Sequence, residues 1–206
     1  RAECMTWMEY SEPKVRPFDP HKKGYRVLGI AESFSPDQPT ATLGGVVMRA
    51  DLIVDGIALG RCRVMGMDAT EAVISLYRSL GREDVNLILL GGCIISLFNV
   101  VRVREVAAET GLPVVCVTYN PSEGLEEVLL RRFGADAAER LEAYKELGGR
   151  EEVRLRTGHT VYVRRVGVSR RATEVMLNSL TVSGKVPEPL RLAKLVARAA
   201  RAFLCS

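Results

Sequence analysis

The feature that most restricts this chain is the spacing of its first three extended runs. RVLGIAESF (26–34) and LGGVVMRA (43–50) flank a short Pro-containing loop, and LIVDGIALGRCRV (52–64) follows the second run almost at once. So short a connection joins only antiparallel neighbours, because a parallel return needs a crossover of about a dozen residues or more. From Asp68 the apolar period changes from two to about 3.6 residues. In DATEAVISLYRSL the side chains of Ala72, Val73, Leu76 and Leu80 share one helical face, and Gly81 ends the element. A strand over 85–90, a helix over 99–110 and the unbroken apolar strand PVVCVTY (113–119) follow. A strand without alternation belongs inside a parallel sheet covered on both faces.

Helices are then expected over 124–133 and 137–147, before a hairpin, EEVRLRTGHTVYVRRV, with its turn near Gly158. Helices over 169–179 and 188–204 close the chain. Residues 1–22 read as an N-terminal extension, since Pro13, Pro17 and Pro20 break any regular element, and a single domain is expected over 23–206. Three antiparallel strands followed by helix, strand, helix, strand is the succession of ribonuclease H-like folds. The expected class is therefore α/β: a mixed five-stranded sheet flanked by helices, with an added C-terminal hairpin and helices.

Composition removes several alternatives. A chain of 206 residues with 47% apolar side chains and a formal charge of +4 is an ordinary globular length and balance, neither a disordered tail nor a polycation. Its longest apolar runs, 85–90 and 94–98, are interrupted by Gly91 and Gly92 and fall far short of the roughly 20 residues of a bilayer span. With no secretory leader pattern in residues 1–10, a cytoplasmic location is expected. Cys4, Cys62, Cys93, Cys116 and Cys205 show no C-x-x-C spacing, which fits reduced thiols, and His21 and His159 alone make a structural zinc site improbable. Arg greatly outnumbers Lys and Gln38 is the sole glutamine, a bias of hot-growing hosts or of codon usage.

Nucleases on this scaffold set carboxylates at strand ends and a helix start, where they hold divalent ions. Here the first strand ends in Ala31-Glu32. Because side chains alternate across a sheet, Glu32 cannot replace a carboxylate at 31: one step along the strand turns it to the opposite face. Asp68 and Glu71, in D-A-T-E, have the spacing of a capping box, which is favoured over a metal role, although Glu32 and Asp68 are the acids available to a metal. Asp55-Gly56 reads as a turn or bulge. Ser96 and Asn99 have no histidine nearby in sequence with which to form a nucleophilic dyad, and Gly91-Gly92 lacks the lysine and spacing of a phosphate-binding loop.

Cations are better organised. In the last helix Arg191, Lys194, Arg198 and Arg201 recur at steps of three and four, opposite Leu192, Val196 and Ala199. In the hairpin Arg154 and Arg156 alternate with Val153 and Leu155, and Arg164 and Arg165 follow. These groups could track a phosphate backbone, or form a solvated face neutralised by Glu151, Glu152 and Glu174.

The stretches KKGYRVLGIAESF (22–34), GGVVMRADLIVDGIAL (44–59), VMGMDATEAV (64–73), FNVVRVREVAAETGLPVVCVTY (98–119) and VPEPLRLAKLVARA (186–199) fall in order and resemble the archaeal proteins catalogued as domain of unknown function 99. That family is similar to endonuclease V. The resemblance implies a ribonuclease H-like fold and metal-dependent cutting of DNA with deaminated bases, notably deoxyuridine. Its motif G-I-D-D-G stands here as Gly29-Ile30-Ala31-Glu32-Ser33. Its V-D-G-x-D-A-T is Val64-Met65-Gly66-Met67-Asp68-Ala69-Thr70, and its F-N-V-V-D is Phe98-Asn99-Val100-Val101-Arg102. Ala31, Met65 and Arg102 thus occupy acid positions, and Arg102 opposes a metal instead of binding it. The reading is a nucleic-acid-binding protein, of DNA or RNA, with lost or strongly reduced nuclease activity and no cofactor. Arg102 could itself sit in the former metal position. One alternative is an active endonuclease using Mg or Mn on Glu32 and Asp68; another is a non-catalytic protein–protein module. A homo-oligomer or larger assembly is compatible with each.

Overall fold

Where the chain alternates it pairs, and where it is apolar throughout it lies at the centre. A computed structural model describes residues 12–122 and 124–204. β1 (Arg26–Ser33), β2 (Thr40–Arg49) and β3 (Val54–Arg63) form the antiparallel meander that the short connections require. Helix α1 (Ala69–Ser79) returns the chain to β4 (Leu87–Leu90), and α2 (Val103–Thr110) returns it to β7 (Val114–Thr118); β4 lies parallel to both β1 and β7. Between β4 and α2, β5 (Ile94–Ile95) and β6 (Asn99–Val100) make a small separate ribbon. α3 (Glu126–Phe133), a 3-10 turn and α4 (Ala138–Glu146) lead into β8 (Glu151–Arg154) and β9 (Thr160–Val166); α5 (Arg170–Leu180) and α6 (Glu188–Leu204) end the described chain.

The hairpin is part of the sheet. β9 pairs antiparallel with β7, so the sheet has seven strands in the order β3-β2-β1-β4-β7-β9-β8, where five plus a separate hairpin were expected. The reason lies in β7: a parallel strand buried on both faces still exposes one backbone edge, and β9 satisfies it. Two cores fill the two faces. Leu28, Ile30, Leu76, Ile88 and Val106 pack on the α1, α2 and α4 side, and Val27, Leu89, Val115, Met176 and Leu190 on the α5 and α6 side. α6 crosses β1 and β2 so closely that a Cβ on Gly44 would lie 2.3 Å from the Ala193 carbonyl oxygen, and one on Gly29 2.6 Å from Pro189 Cβ. The paired register of Gly29 with Val46 and of Ala31 with Gly44 thus sets the floor on which α6 rests.

Other expectations are modified locally. Asp55 is the extra residue of a bulge, since Val47 pairs with Gly56 and Met48 with Val54. The helix expected from 99 begins at Val103, because Asn99 and Val100 are occupied in the ribbon. Cys93 and Cys116 are joined in a disulfide, Cα atoms 6.1 Å apart, instead of remaining thiols: the loop after β4 folds back over the neighbouring β7, which no cysteine spacing reveals. Cys62 is free and buried, while Cys4 and Cys205 lie outside the described residues. Of the N-terminal stretch, Arg16 binds the Gly111 and Glu83 carbonyls, and Phe18 packs edge-on against Tyr25. Among the described residues no helix is long and apolar enough to cross a membrane.

Candidate functional site

At the end of β1, alternation separates neighbouring residues. Leu28 and Ile30 face the α1 side, so Glu32 does too, and Ala31 faces α6. Glu32 is committed on its side. Its Oε2 accepts the Ser96 amide at 2.6 Å and the Ser96 hydroxyl. Burial raises the Glu32 pKa above the usual carboxylate range, opposed by these two bonds and by the Lys194 charge. The bonds hold a strained loop: Ser96, Leu97 and Phe98 all have left-handed backbone, with φ of 47°, 57° and 68°. The Ser96 carbonyl in turn accepts the Met65 amide at 2.7 Å.

Asp68 is equally engaged, and not as a capping box. It stands at the N-cap of α1 but makes no side-chain bond into the helix. Its oxygens accept the Arg63 amide at 3.0 and 3.2 Å, and Oδ1 also accepts Asn99 Nδ2 at 2.8 Å. The fully buried Asn99 provides the cap instead, its Oδ1 accepting the Ala69 amide at 2.9 Å while its Nδ2 also donates to the Arg63 carbonyl. Glu71, the other half of the expected box, accepts the Ser75 hydroxyl one turn on. Between the acids lies Cys62, 3.3 Å from the Ser96 hydroxyl; burial, with the charges of Asp68 and Glu32, pushes its thiol up to about 11.

The other acid positions turn elsewhere. Met65 is pinned through its backbone: Arg140 donates to the Met65 carbonyl and, at 3.2 Å, to that of Gly66. Arg140 also lies 4.2 Å over the Phe133 ring, which packs edge-on against Phe98. The Nε of Arg140 is buried without a hydrogen-bond partner among the described residues. Arg102 does not enter the site. Its guanidinium pairs with Glu146 at 2.6 Å, and its amide donates to Thr70. Arg102 makes no ion pair with Asp68 or Glu32 among the described residues, because Glu146, the last residue of α4, is presented directly to it. Among the described residues no three His, Cys, Asp or Glu side chains gather where an ion could be held.

On the α6 face beside Ala31 there is a cleft of about 360 Å³. Tyr119, Val186, Leu190 and Leu195 give it apolar walls, and Arg191, Lys194 and Arg198 its charge. Lys194 reaches the strand end itself, donating to the Glu32 carbonyl at 2.5 Å. Burial lowers its pKa, opposed by Glu32 and reinforced by Arg198 and Arg201. Arg191 is held by Glu188 at 2.6 Å, whereas Arg198 makes no ion pair among the described residues. Burial also raises the Tyr119 pKa, and the Tyr119 carbonyl accepts Lys185 at 3.2 Å.

The hairpin arginines are not continuous with this cleft. Arg165 pairs with Glu151 at 3.1 Å, and Arg156 donates to the Asn178 carbonyl. Arg164 lines a second cavity with Arg150 and Tyr144, and Arg154 is exposed on β8. Sequence reasoning passed over Tyr119, Arg140 and the capping role of Asn99. Tyr119 ends the apolar strand run, where such folds place their sites; the partners of Arg140 are 75 and 74 residues away and leave no local sign.

A mixed sheet with its central parallel strands ending at a cleft, crossed on one face by a terminal helix, defines a protein of the ribonuclease H-like class. The chain belongs to the endonuclease dU family, which residues 23–201 match. It is 35% identical over 177 residues to the UPF0215 protein of Pyrobaculum aerophilum, covering 86% of this chain and 95% of that one. A protein of unknown function from Archaeoglobus fulgidus superimposes with a TM-score of 0.73 at 29% identity, covering 85% of this chain and 98% of that one. Endonuclease V of Streptomyces avermitilis shares the fold with a TM-score of 0.66 at 19% identity, covering 95% and 87%.

Proposed function

We propose that this member of the endonuclease dU family holds nucleic acid in the α6 cleft and has lost, wholly or nearly so, metal-dependent strand cutting. The observation that carries the reading is the placement of Lys194, which brings an ammonium to the end of β1 beside Ala31, with Arg191 and Arg198 along the same cleft. An ammonium there favours phosphate and repels a divalent cation. The residues do not fit a magnesium or manganese ion, which asks for several convergent oxygen ligands. Glu32 and Asp68 face away from the cleft or are saturated by Ser96, Arg63 and Asn99. What these residues do instead is bind and orient. The cations attract the backbone, and Tyr119 with Leu190 offers an apolar wall to a base.

The test is binding of uracil- and inosine-containing DNA and RNA across a salt series, with cleavage assayed in magnesium and in manganese. Affinity is expected to fall steeply with salt, Lys194→Glu to weaken it about tenfold or more, and no cleavage to accumulate. Turnover with either metal that Asp68→Ala abolishes overturns the loss of cutting. Binding that ignores salt overturns the nucleic-acid reading and leaves the fold as a protein-recognition module.

A further inference from the structure

The two edges of the sheet differ in how they are protected. β8 has four residues, three of them charged, and such an edge resists pairing with another chain. β3 has ten residues, and among the described residues no strand lies on its outer side. Its centre, Gly56-Ile57-Ala58-Leu59-Gly60, carries no charge and no proline; the bulge at Asp55 lies just before it. Ile57 and Leu59 pair with Val46 and Gly44, so they share the α6 face, yet α6 packs over β1 and β2 and leaves them 58% and 52% exposed. An open strand edge together with two bare aliphatic side chains is a surface shaped for another strand.

The sequence names the partner. About Ala58 the segment reads nearly the same in both directions, with glycine at each end and a large aliphatic residue on each side. We propose that β3 pairs antiparallel with β3 of a second copy of this chain, about a two-fold axis at Ala58, so that two sheets become one. In that register Ile57 faces the partner subunit's Leu59 twice over on the α6 face. On the α1 face Gly56 meets Gly60 and Ala58 meets itself, small residues throughout. Charge selects this register over its neighbours. A pairing centred on Arg61 or Cys62 would set Arg61 and Arg63, whose side chains make no ion pair among the described residues, against arginines of the other copy, whereas the pairing centred on Ala58 keeps them apart. The contact is isologous and uses the whole edge, so it closes as a dimer and does not propagate.

Sedimentation velocity of the chain alone, without nucleic acid, is expected to give twice the chain mass at micromolar concentration. Ile57→Lys with Leu59→Lys is expected to raise the dissociation midpoint by about a hundredfold or more, with far-UV circular dichroism unchanged. Because that variant could fail to fold, a second arm fixes the register by oxidative cross-linking in a Cys4→Ser, Cys205→Ser background. Ala58→Cys should cross-link to its own copy, since opposed Cα atoms lie about 4.5–5.5 Å apart, within disulfide reach. Arg61→Cys should not, since the two copies of residue 61 would be about 20 Å apart. A monomer at about 100 µM, or cross-linking through residue 61 and not 58, overturns the proposal.

Discussion

Glu32 is an acid held where ionisation is expensive. Burial raises its pKa more than the Ser96 bonds and Lys194 lower it, so the folded protein binds this proton more tightly than the unfolded chain does. The sign follows. Stability from the protonated form is complete below the ordinary carboxylate range and is lost as pH rises through the folded value. Glu32→Gln keeps an acceptor for Ser96 without the charge, so its stability relative to the parent should rise between about pH 4 and about pH 8. Glu32→Ala removes the same charge, so it should follow the same trend with pH, but it leaves the Ser96 amide and hydroxyl unpaired and should lie about 1–3 kcal/mol below Glu32→Gln at both pH values. Urea denaturation at both pH values decides this; a Gln variant with the same deficit at each would sink the argument. The orientation that isolates Glu32 was legible from alternation alone. Its partner was not, because Ser96 is 64 residues away on a loop whose left-handed backbone no side chain announces.

At the scale of elements, the start of α1 shows how local reasoning can choose the wrong acceptor. D-A-T-E has capping-box spacing, but the Asp68 side chain is drawn back to the Arg63 amide, and the helix amide it leaves goes to Asn99, 30 residues on. Asn99→Ala should therefore destabilise by about 2 kcal/mol, since it strands the Ala69 amide and the Arg63 carbonyl. Glu71→Ala should change stability by about 0.5 kcal/mol or less. Thermal denaturation of the pair discriminates the two cap assignments, and the reverse ranking restores the capping box. A second long-range pairing, Arg102 with Glu146, sets a cation just before α2 and an anion at the last residue of α4, each at the unfavourable end of its helix dipole. Each single reversal, Arg102→Glu or Glu146→Arg, should cost about 1 kcal/mol, and the double reversal should equal or exceed the parent, because it keeps the pair and corrects both dipoles. A double variant less stable than both singles would refute the coupling. The meander, the parallel centre and the helix order were all readable from periodicity and connection length. The edge on which the hairpin docks was not, because both of its faces carry mixed charge and apolar residues.

Across the whole molecule, a net charge of +4 is too small to steer a polyanion by itself, so binding must come from where the cations are concentrated. The sequence offered two stretches, the hairpin and the last helix, and could not weigh them, since an arginine next to a glutamate in space is indistinguishable from a free one in a string. The fold separates them. Arg165 is balanced by Glu151, whereas Arg198 and Lys194 face an open cleft with no carboxylate side chain bound to either among the described residues. Each phosphate contact made by a cation releases condensed counterions, so removing one such contact lowers the slope of log affinity against log salt by about 0.7 to 0.9. Arg198→Ala and Lys194→Met should each show that loss, whatever the base sequence of the probe. Arg165→Ala should leave the slope unchanged and instead slightly lower the melting temperature, because Glu151 loses the nearer of its two partners on the β8 edge and keeps only Arg170 at 3.7 Å. Fluorescence anisotropy over a salt series, run beside thermal melts of the same variants, separates the two behaviours. Were Arg165→Ala to flatten the slope while Arg198→Ala did not, the phosphate track would run along the hairpin and the α6 cleft would lose its role.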